Sequence, residues 1–168
     1  MKNIKFSRLF AAFAFVAVLS LTACQTQASS SPKAIEGTWI SEWGEKYVID
    51  GSDYDNYSHY DSNGKLNEDA WFLFYSTNEV EIVEGDNNTG FVFGQFDDKD
   101  HIGYGAEVGQ WYGFYYFDLT EKSVKIVQAY KDGGKAGCDT LEEAQKEYTI
   151  DNGYFPTASA STCVKLEE

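Results

Sequence analysis

After residue 34 the sequence predicts a mainly β fold, an antiparallel barrel or sandwich of short strands. Three observations lead there. Short apolar and aromatic runs recur with turn signals between them, and helical periodicity is nearly absent. Residues 110–130 (QWYGFYYFDLTEKSVKIVQAY) have the pattern of a β-hairpin whose first strand is apolar on both faces. If Asp118 faces Ser123 across residues 119–122, then Phe117 faces Val124, Tyr115 faces Ile126, Gly113 faces Gln128 and Trp111 faces Tyr130. That face is the expected barrel interior. Tyr112, Phe114 and Tyr116 fall on the other side, and a strand covered on both sides belongs near the middle of a sheet.

The first residues stand apart from this pattern. Lys2, Lys5 and Arg8 precede an apolar run from Leu9 to Leu21, the layout of a signal peptide. It ends in Leu21-Thr22-Ala23-Cys24, which resembles the bacterial lipobox. The resemblance implies that Cys24 is lipidated and becomes the mature N-terminus, so the membrane partner is reached through this one residue. Gln25 rather than Asp follows Cys24, which favours the outer over the inner membrane of a bacterial envelope. Residues 25–34 (QTQASSSPKA) have the composition of a flexible tether. The expected organisation is thus a signal peptide over 1–23, a lipidated tether over 24–34 and a single β-barrel domain over 35–168.

Charge narrows the partners. The first 24 residues hold three of the 13 basic residues and none of the 27 acidic ones, which leaves 10 Lys against 27 Asp and Glu, a formal charge of -17. With no Arg beyond Arg8, the domain lacks the forked cations and positive field that nucleic acid binding uses, and nucleic acid is excluded as a partner. The same charge excludes an anionic membrane as a partner of the folded surface.

Two cysteines follow Cys24. Cys138 and Cys163 form an even pair in an exported chain and are expected to be a disulfide, which would stabilise by about 3–4 kcal/mol in the chain-entropy model. Free thiols or metal ligands are the alternative, but no CxxC and no neighbouring His accompany them.

Taken in order, the domain opens with Gly37-Thr38-Trp39-Ile40-Ser41-Glu42-Trp43, an alternating strand with Trp39, Ser41 and Trp43 on one face. A strand over 45–50 places Tyr47 and Ile49 on one face, and Gly51-Ser52 turns the chain before Tyr54, Tyr57 and Tyr60. Asn63-Gly64 suits a tight turn with positive φ. Trp71 to Tyr75 is a buried-looking run, Glu79 to Val83 a separate strand, residues 86–90 a turn, and Phe91 to Phe96 another strand. Residues 97–109, charged and then Gly-rich, form the expected rim loop. Beyond the hairpin, Thr140-Leu141-Glu142-Glu143 fits a capping box that starts a helix over 141–148, with Leu141, Ala144 and Tyr148 on its packed side. The tail then returns to Cys163.

The Gly37-Thr38-Trp39 opening resembles that of lipocalins, in which the Trp closes one end of the barrel and an Arg from the last strand packs over it. The whole order is similar to lipocalin-like lipoproteins of bacteria over roughly residues 36–155: Gly-Thr-Trp, short strands, an aromatic hairpin with a Leu-Thr turn, then a Thr-Leu-Glu-Glu-Ala helix. The resemblance implies a lipocalin or calycin-like antiparallel β-barrel with one short C-terminal α-helix. It carries over no catalytic residue.

Chemistry beyond this is sparse. The chain has no Gly-x-Ser-x-Gly, HExxH or Walker loop, so no enzyme, no catalytic residue and no cofactor is expected. His59 lies among Asp53, Asp55 and Asp61, and His101 follows Asp97, Asp98 and Asp100; two such loops at one rim could share a cation, but solvated loop histidines are the expectation and no metal site is assigned. Aromatics are the abundant resource. Tyr54, Tyr57, Tyr60, Tyr104 and Tyr112 are expected in loops or on outward faces, where they could stack on a sugar ring or a flat organic ligand. The expected function is binding. Trp39, Trp71, Trp111 and Tyr115 would line or close a cup for a small, partly apolar ligand, with Gln128 and Tyr130 on the same face. The alternative is an acidic, Tyr-rich surface that binds a host or envelope protein and holds no small ligand.

Overall fold

The computed structural model describes residues 33–102 and 105–167. These lie within the compact unit Ser31–Glu168; the other unit, Met1–Ser30, lies outside the described residues, and with it the signal peptide and Cys24. Tyr104 is outside them too.

Eight strands close into one antiparallel barrel in sequence order. They are β1 (Gly37–Ser41), β2 (Glu45–Ile49), β3 (Tyr54–Ser58), β4 (Phe72–Glu84), β5 (Gly90–Phe96), β6 (Trp111–Phe117), β7 (Ser123–Gln128) and β8 (Ser161–Lys165). Among the described residues one α-helix, α1 (Leu141–Glu147), and a short 3-10 turn, Thr157–Ser159, lie between β7 and β8. The barrel closes where β1 pairs with β8, Trp39 opposite Lys165 and Ser41 opposite Cys163.

The interior is packed with rings. Trp39, Tyr47, Tyr54, Tyr75, Phe96, Tyr112, Phe114 and Tyr116 are all buried. Their centroids lie 4.7 Å apart for Tyr54 and Phe114 and 5.6 Å for Phe96 and Tyr112, the spacing at which aromatic pairs attract. Buried phenols need partners, and several find them close by: the Tyr54 and Tyr75 hydroxyls bond to each other, and Tyr112 donates to the Ala129 carbonyl at 3.1 Å. Trp39 closes one end of the barrel, donating from Nε1 to the Ile35 carbonyl at 2.8 Å. The cation over its ring is Lys165 of the last strand, 5.1 Å from the centroid. Gly94 makes room for buried Thr77, since a Cβ there would stand 2.7 Å from the Thr77 Cβ.

The hairpin register differs by one residue from the sequence expectation. Phe114 pairs with Gln128, Tyr115 with Val127, Tyr116 with Ile126 and Phe117 with Lys125. Asp118 takes a left-handed φ of 53°, and Leu119 is drawn away from the turn: its N–H donates to the Asn88 carbonyl at 3.2 Å and its side chain is buried. The tight part of the turn is Thr120 to Ser123, where the Thr120 hydroxyl accepts from the Ser123 N–H at 2.9 Å. Because side chains alternate along a strand, one residue of slip exchanges the faces. Tyr112, Phe114 and Tyr116 therefore point inward with Val124, Ile126 and Gln128, while Tyr115 and Phe117 lie outside and stack on each other, Tyr115 also packing against Phe155 from the segment after α1.

Other differences have equally local causes. Residues 72–84 form one long strand rather than two, bent at a bulge between Asn78 and Glu81 where Glu79 has a φ of 51°; its first part pairs with β3 and its second with β5. Tyr54 and Tyr112 are core residues rather than outward ones. The helix starts as expected, with the Thr140 hydroxyl accepting from the Glu143 N–H at 3.1 Å, while the Glu143 carboxylate accepts from Asp139 rather than from Thr140.

Cys138 and Cys163 are free thiols, not a disulfide. Cys163 pairs with Val124 beside the Lys125–Phe117 pair, whereas Cys138 bridges to Trp111 at the other end of β6. The rise along β6 between those points is roughly 20 Å, against the Cα separation of about 7 Å that a disulfide tolerates. Burial is the main cause that pushes both thiols up, Cys163 to about 12. Neither should react with iodoacetamide at pH 8 in the native protein, since the thiolate is the nucleophile. Denaturation without reductant should release both for alkylation, read by peptide mass spectrometry; failure to release them would restore the disulfide.

Candidate binding site at the barrel rim

Up-and-down connectivity gathers four loops at one end of the barrel, at residues 42–44, 59–71, 97–110 and 129–160, opposite the end that Trp39 closes. Among the recesses that open there, one holds Trp71 and another Gln128.

The larger is a cleft of about 830 Å³ between the β3–β4 connection and the start of the β5–β6 loop. Tyr60, Trp71, Phe74, Asp61, Asp100 and His101 are among the residues that line it. A small hairpin positions Tyr60: it bridges to Leu66 around the Asn63-Gly64 turn, and the Asp61 carboxylate accepts from the Asn63 and Lys65 N–H groups at 2.9 Å each. Phe74 is turned outward by a bulge. Asn56 pairs with Tyr75 and Tyr57 with Leu73, which leaves Phe74 as the extra residue on β4. Tyr60 is 52% exposed and Phe74 46%.

Trp71 is held in place from behind. His59 stacks on it with centroids 3.9 Å apart, and the His59 Nδ1 bonds the Ala70 carbonyl at 2.8 Å. The Lys46 ammonium lies 5.1 Å from the Trp71 ring and 4.0 Å from that of Tyr57. Partial burial lowers the Lys46 pKa, and Asp55 opposes that shift. On the other wall His101 bonds the Asp98 carboxylate through Nδ1 at 2.7 Å; the Asp100 N–H, and then His101, hold the Asp98 carboxyl below its ordinary range. Among the described residues no group of three or more His, Cys, Asp or Glu comes together as a metal site.

The smaller recess, about 200 Å³, lies between β2 and β7 and is lined by Glu45, Tyr47, Gln128 and Tyr130 with apolar neighbours. A hydrogen-bonded chain crosses it. Gln128 Nε2 donates to the Tyr47 hydroxyl at 3.2 Å and Tyr47 donates to Glu45 Oε2 at 3.0 Å, while the Tyr112 hydroxyl, whose proton goes to the Ala129 carbonyl, lies 3.5 Å from Gln128 Oε1.

The six residues expected to form one cup are therefore distributed. Gln128 and Tyr130 meet at the small recess, and Trp71 lines the large cleft. Trp39 sits at the closed end; Trp111 and Tyr115 lie outside the barrel wall, Trp111 paired with Cys138 and Tyr115 packed on Phe155. Phe74, Glu45 and Tyr47 carry no sequence signal for a site. A bulge exposes Phe74, and the partners that orient Glu45 come from β1 and β8.

A barrel with a buried aromatic cluster and recesses at its rim is compatible with ligand binding. No protein-family model, curated protein or solved structure matches the chain.

Proposed function

We propose that the chain is a lipid-anchored, lipocalin-like binding protein of a bacterial envelope that holds a small, partly apolar ligand by stacking in the rim cleft. The observation that carries this reading is the pair of exposed rings, Tyr60 and Phe74, on a cleft that also holds Trp71 and the polar groups of Asp61, Asp100 and His101. The cleft volume lies within the range of small-molecule sites, and a few polar groups on aromatic walls are the usual composition of such sites. A ring-shaped ligand, a sugar or a flat organic compound, would lie against Tyr60 and Phe74 and hydrogen-bond to the carboxylates. The interior is filled by the protein's own side chains, so the ligand sits at the rim rather than in the barrel.

Titration with the neutral fluorophore N-phenyl-1-naphthylamine is the test, read through quenching of Trp fluorescence. Saturable quenching is expected. Each ring removed should cost about 1–2 kcal/mol of contact, so Tyr60→Ala combined with Phe74→Ala should weaken binding on the order of 100-fold. Both positions are solvent-facing and the fold should survive. Absence of saturation in the wild type, or unchanged affinity in the double variant, would remove the cleft from consideration.

A further inference from the structure

We infer that the small recess beside Glu45 is a second binding site, one that takes an organic cation: an ammonium head on a short alkyl stem. It shares no lining residue with the aromatic cleft and stands independently of it.

The geometry supplies the head group's partner. Glu45 Oε2 takes three donated hydrogen bonds, from the hydroxyls of Ser41 at 3.4 Å, Tyr47 at 3.0 Å and Ser161 at 3.3 Å. These donors arrive from three strands and fix the carboxylate without neutralising it. None of the ion pairs among the described residues includes Glu45. The Tyr47 proton goes to Glu45, and one of the two Gln128 Nε2–H donors goes to the Tyr47 hydroxyl. Tyr47 keeps that proton at any physiological pH, because burial first and the Glu45 charge next raise its pKa well above the ordinary phenol value. What remains for a ligand is negative charge held in a partly apolar recess, a setting that selects a cation.

The walls supply the stem's partners. Val127 and Pro156 line the recess together with Tyr130, which is 60% exposed and is an aromatic side chain of the kind that attracts a cation. A volume of about 200 Å³ is that of about seven waters, enough for the head and stem of a monoamine of a few carbons. The formal charge of -14 draws cations toward the surface in general, so a test has to separate that diffuse attraction from this site.

Calorimetric titration of the full-length protein with n-butylammonium chloride does so. One saturable site is expected, with n-butanol, which has the same stem and no charge, at least 10-fold weaker. Glu45→Gln keeps the acceptor and the shape but loses the charge, and should weaken butylammonium at least 10-fold. Asp86→Asn, in the exposed turn at the opposite end of the barrel, should leave it unchanged. Equal binding of butanol, equal loss in the two variants, or no saturable heat would each overturn the assignment. Should Glu45→Gln fail to fold, Tyr130→Ala decides: its side chain is exposed, and an affinity within 2-fold of the wild type would overturn the assignment, a loss of several-fold support it.

Discussion

Trp39→Ala is expected to lower folding stability by about 3–5 kcal/mol, the range for removing a buried Trp from a packed core. Trp39 is fully buried where β1 meets both β2 and β8, opposite Tyr47 in one ladder and Lys165 in the other. The substitution would open a cavity at the closed end, strip the Ile35 carbonyl of its donor and uncover the Lys165 stem. The Lys165 ammonium, which also donates to the Glu36 carbonyl at 2.9 Å, would lose the ring beneath it. Since domains of this size are stable by only about 5–15 kcal/mol, the melting temperature should fall by about 10–20 °C. Trp39→Phe, which keeps most of the ring and loses the Nε1 donor, should cost about 1–2 kcal/mol. Urea unfolding of the three forms checks the series, and a loss below 1 kcal/mol for the Ala variant would mean that Trp39 does not close the barrel.

Cys24→Ser should move the protein from the membrane to the soluble fraction without touching the barrel. On the proposed lipoprotein reading, acyl chains on Cys24 would contribute about 0.8 kcal/mol per buried methylene and supply the two hydrophobic signals that stable anchoring needs, while the acidic domain would be repelled by an anionic surface. The fold is expected to be indifferent, because Ile35 is the first core residue among those described and lies well past the anchor. Fractionation of cells that express each form, with metabolic palmitate labelling, measures this. Retention of the Ser variant on membranes after a salt wash, or absence of label on the wild type, would end the lipoprotein reading.

The fold class was legible because it rests on local patterns. Aromatic alternation marks β5 and β6, Asn63-Gly64 marks its turn, and Thr140 to Glu143 marks the start of α1. What stayed hidden depends on distant partners. Nothing in residues 118–123 announces that Leu119 is anchored to Asn88, yet that contact sets the hairpin register and with it the identity of the inner face. β8 (STCVK) has no apolar run; it becomes a strand because Lys125, Val124 and Ser41 present edges to it. Cysteine number and export context argued for a disulfide, and only the ladder shows the two thiols at opposite ends of β6. The site was the least legible part. The Phe74 bulge and the three donors on Glu45 are products of assembly, whereas Tyr60 and Trp71 at least announced themselves as aromatics in loop-rich sequence.

Closure of the barrel by its first and last strands also fixes the order of events during folding. Every other ladder joins neighbours in sequence, and all but β7–β8, whose strands are separated by residues 129–160, can form as a local hairpin. The β1–β8 ladder instead joins residues 39–41 to residues 163–165, so the loop it closes is almost the whole domain. Loop-closure entropy makes such a contact late, and folds dominated by non-local pairing reach the native state in milliseconds to seconds rather than microseconds. Until residues 161–165 have emerged and docked, β1 presents a bare edge and Trp39 lacks the strand that carries Lys165. A chain that crosses a membrane in extended form and folds afterwards meets this condition at once, since both ends become available together. A chain folding from its N-terminus as it is made would hold an open, aromatic-lined sheet until its last residues arrived.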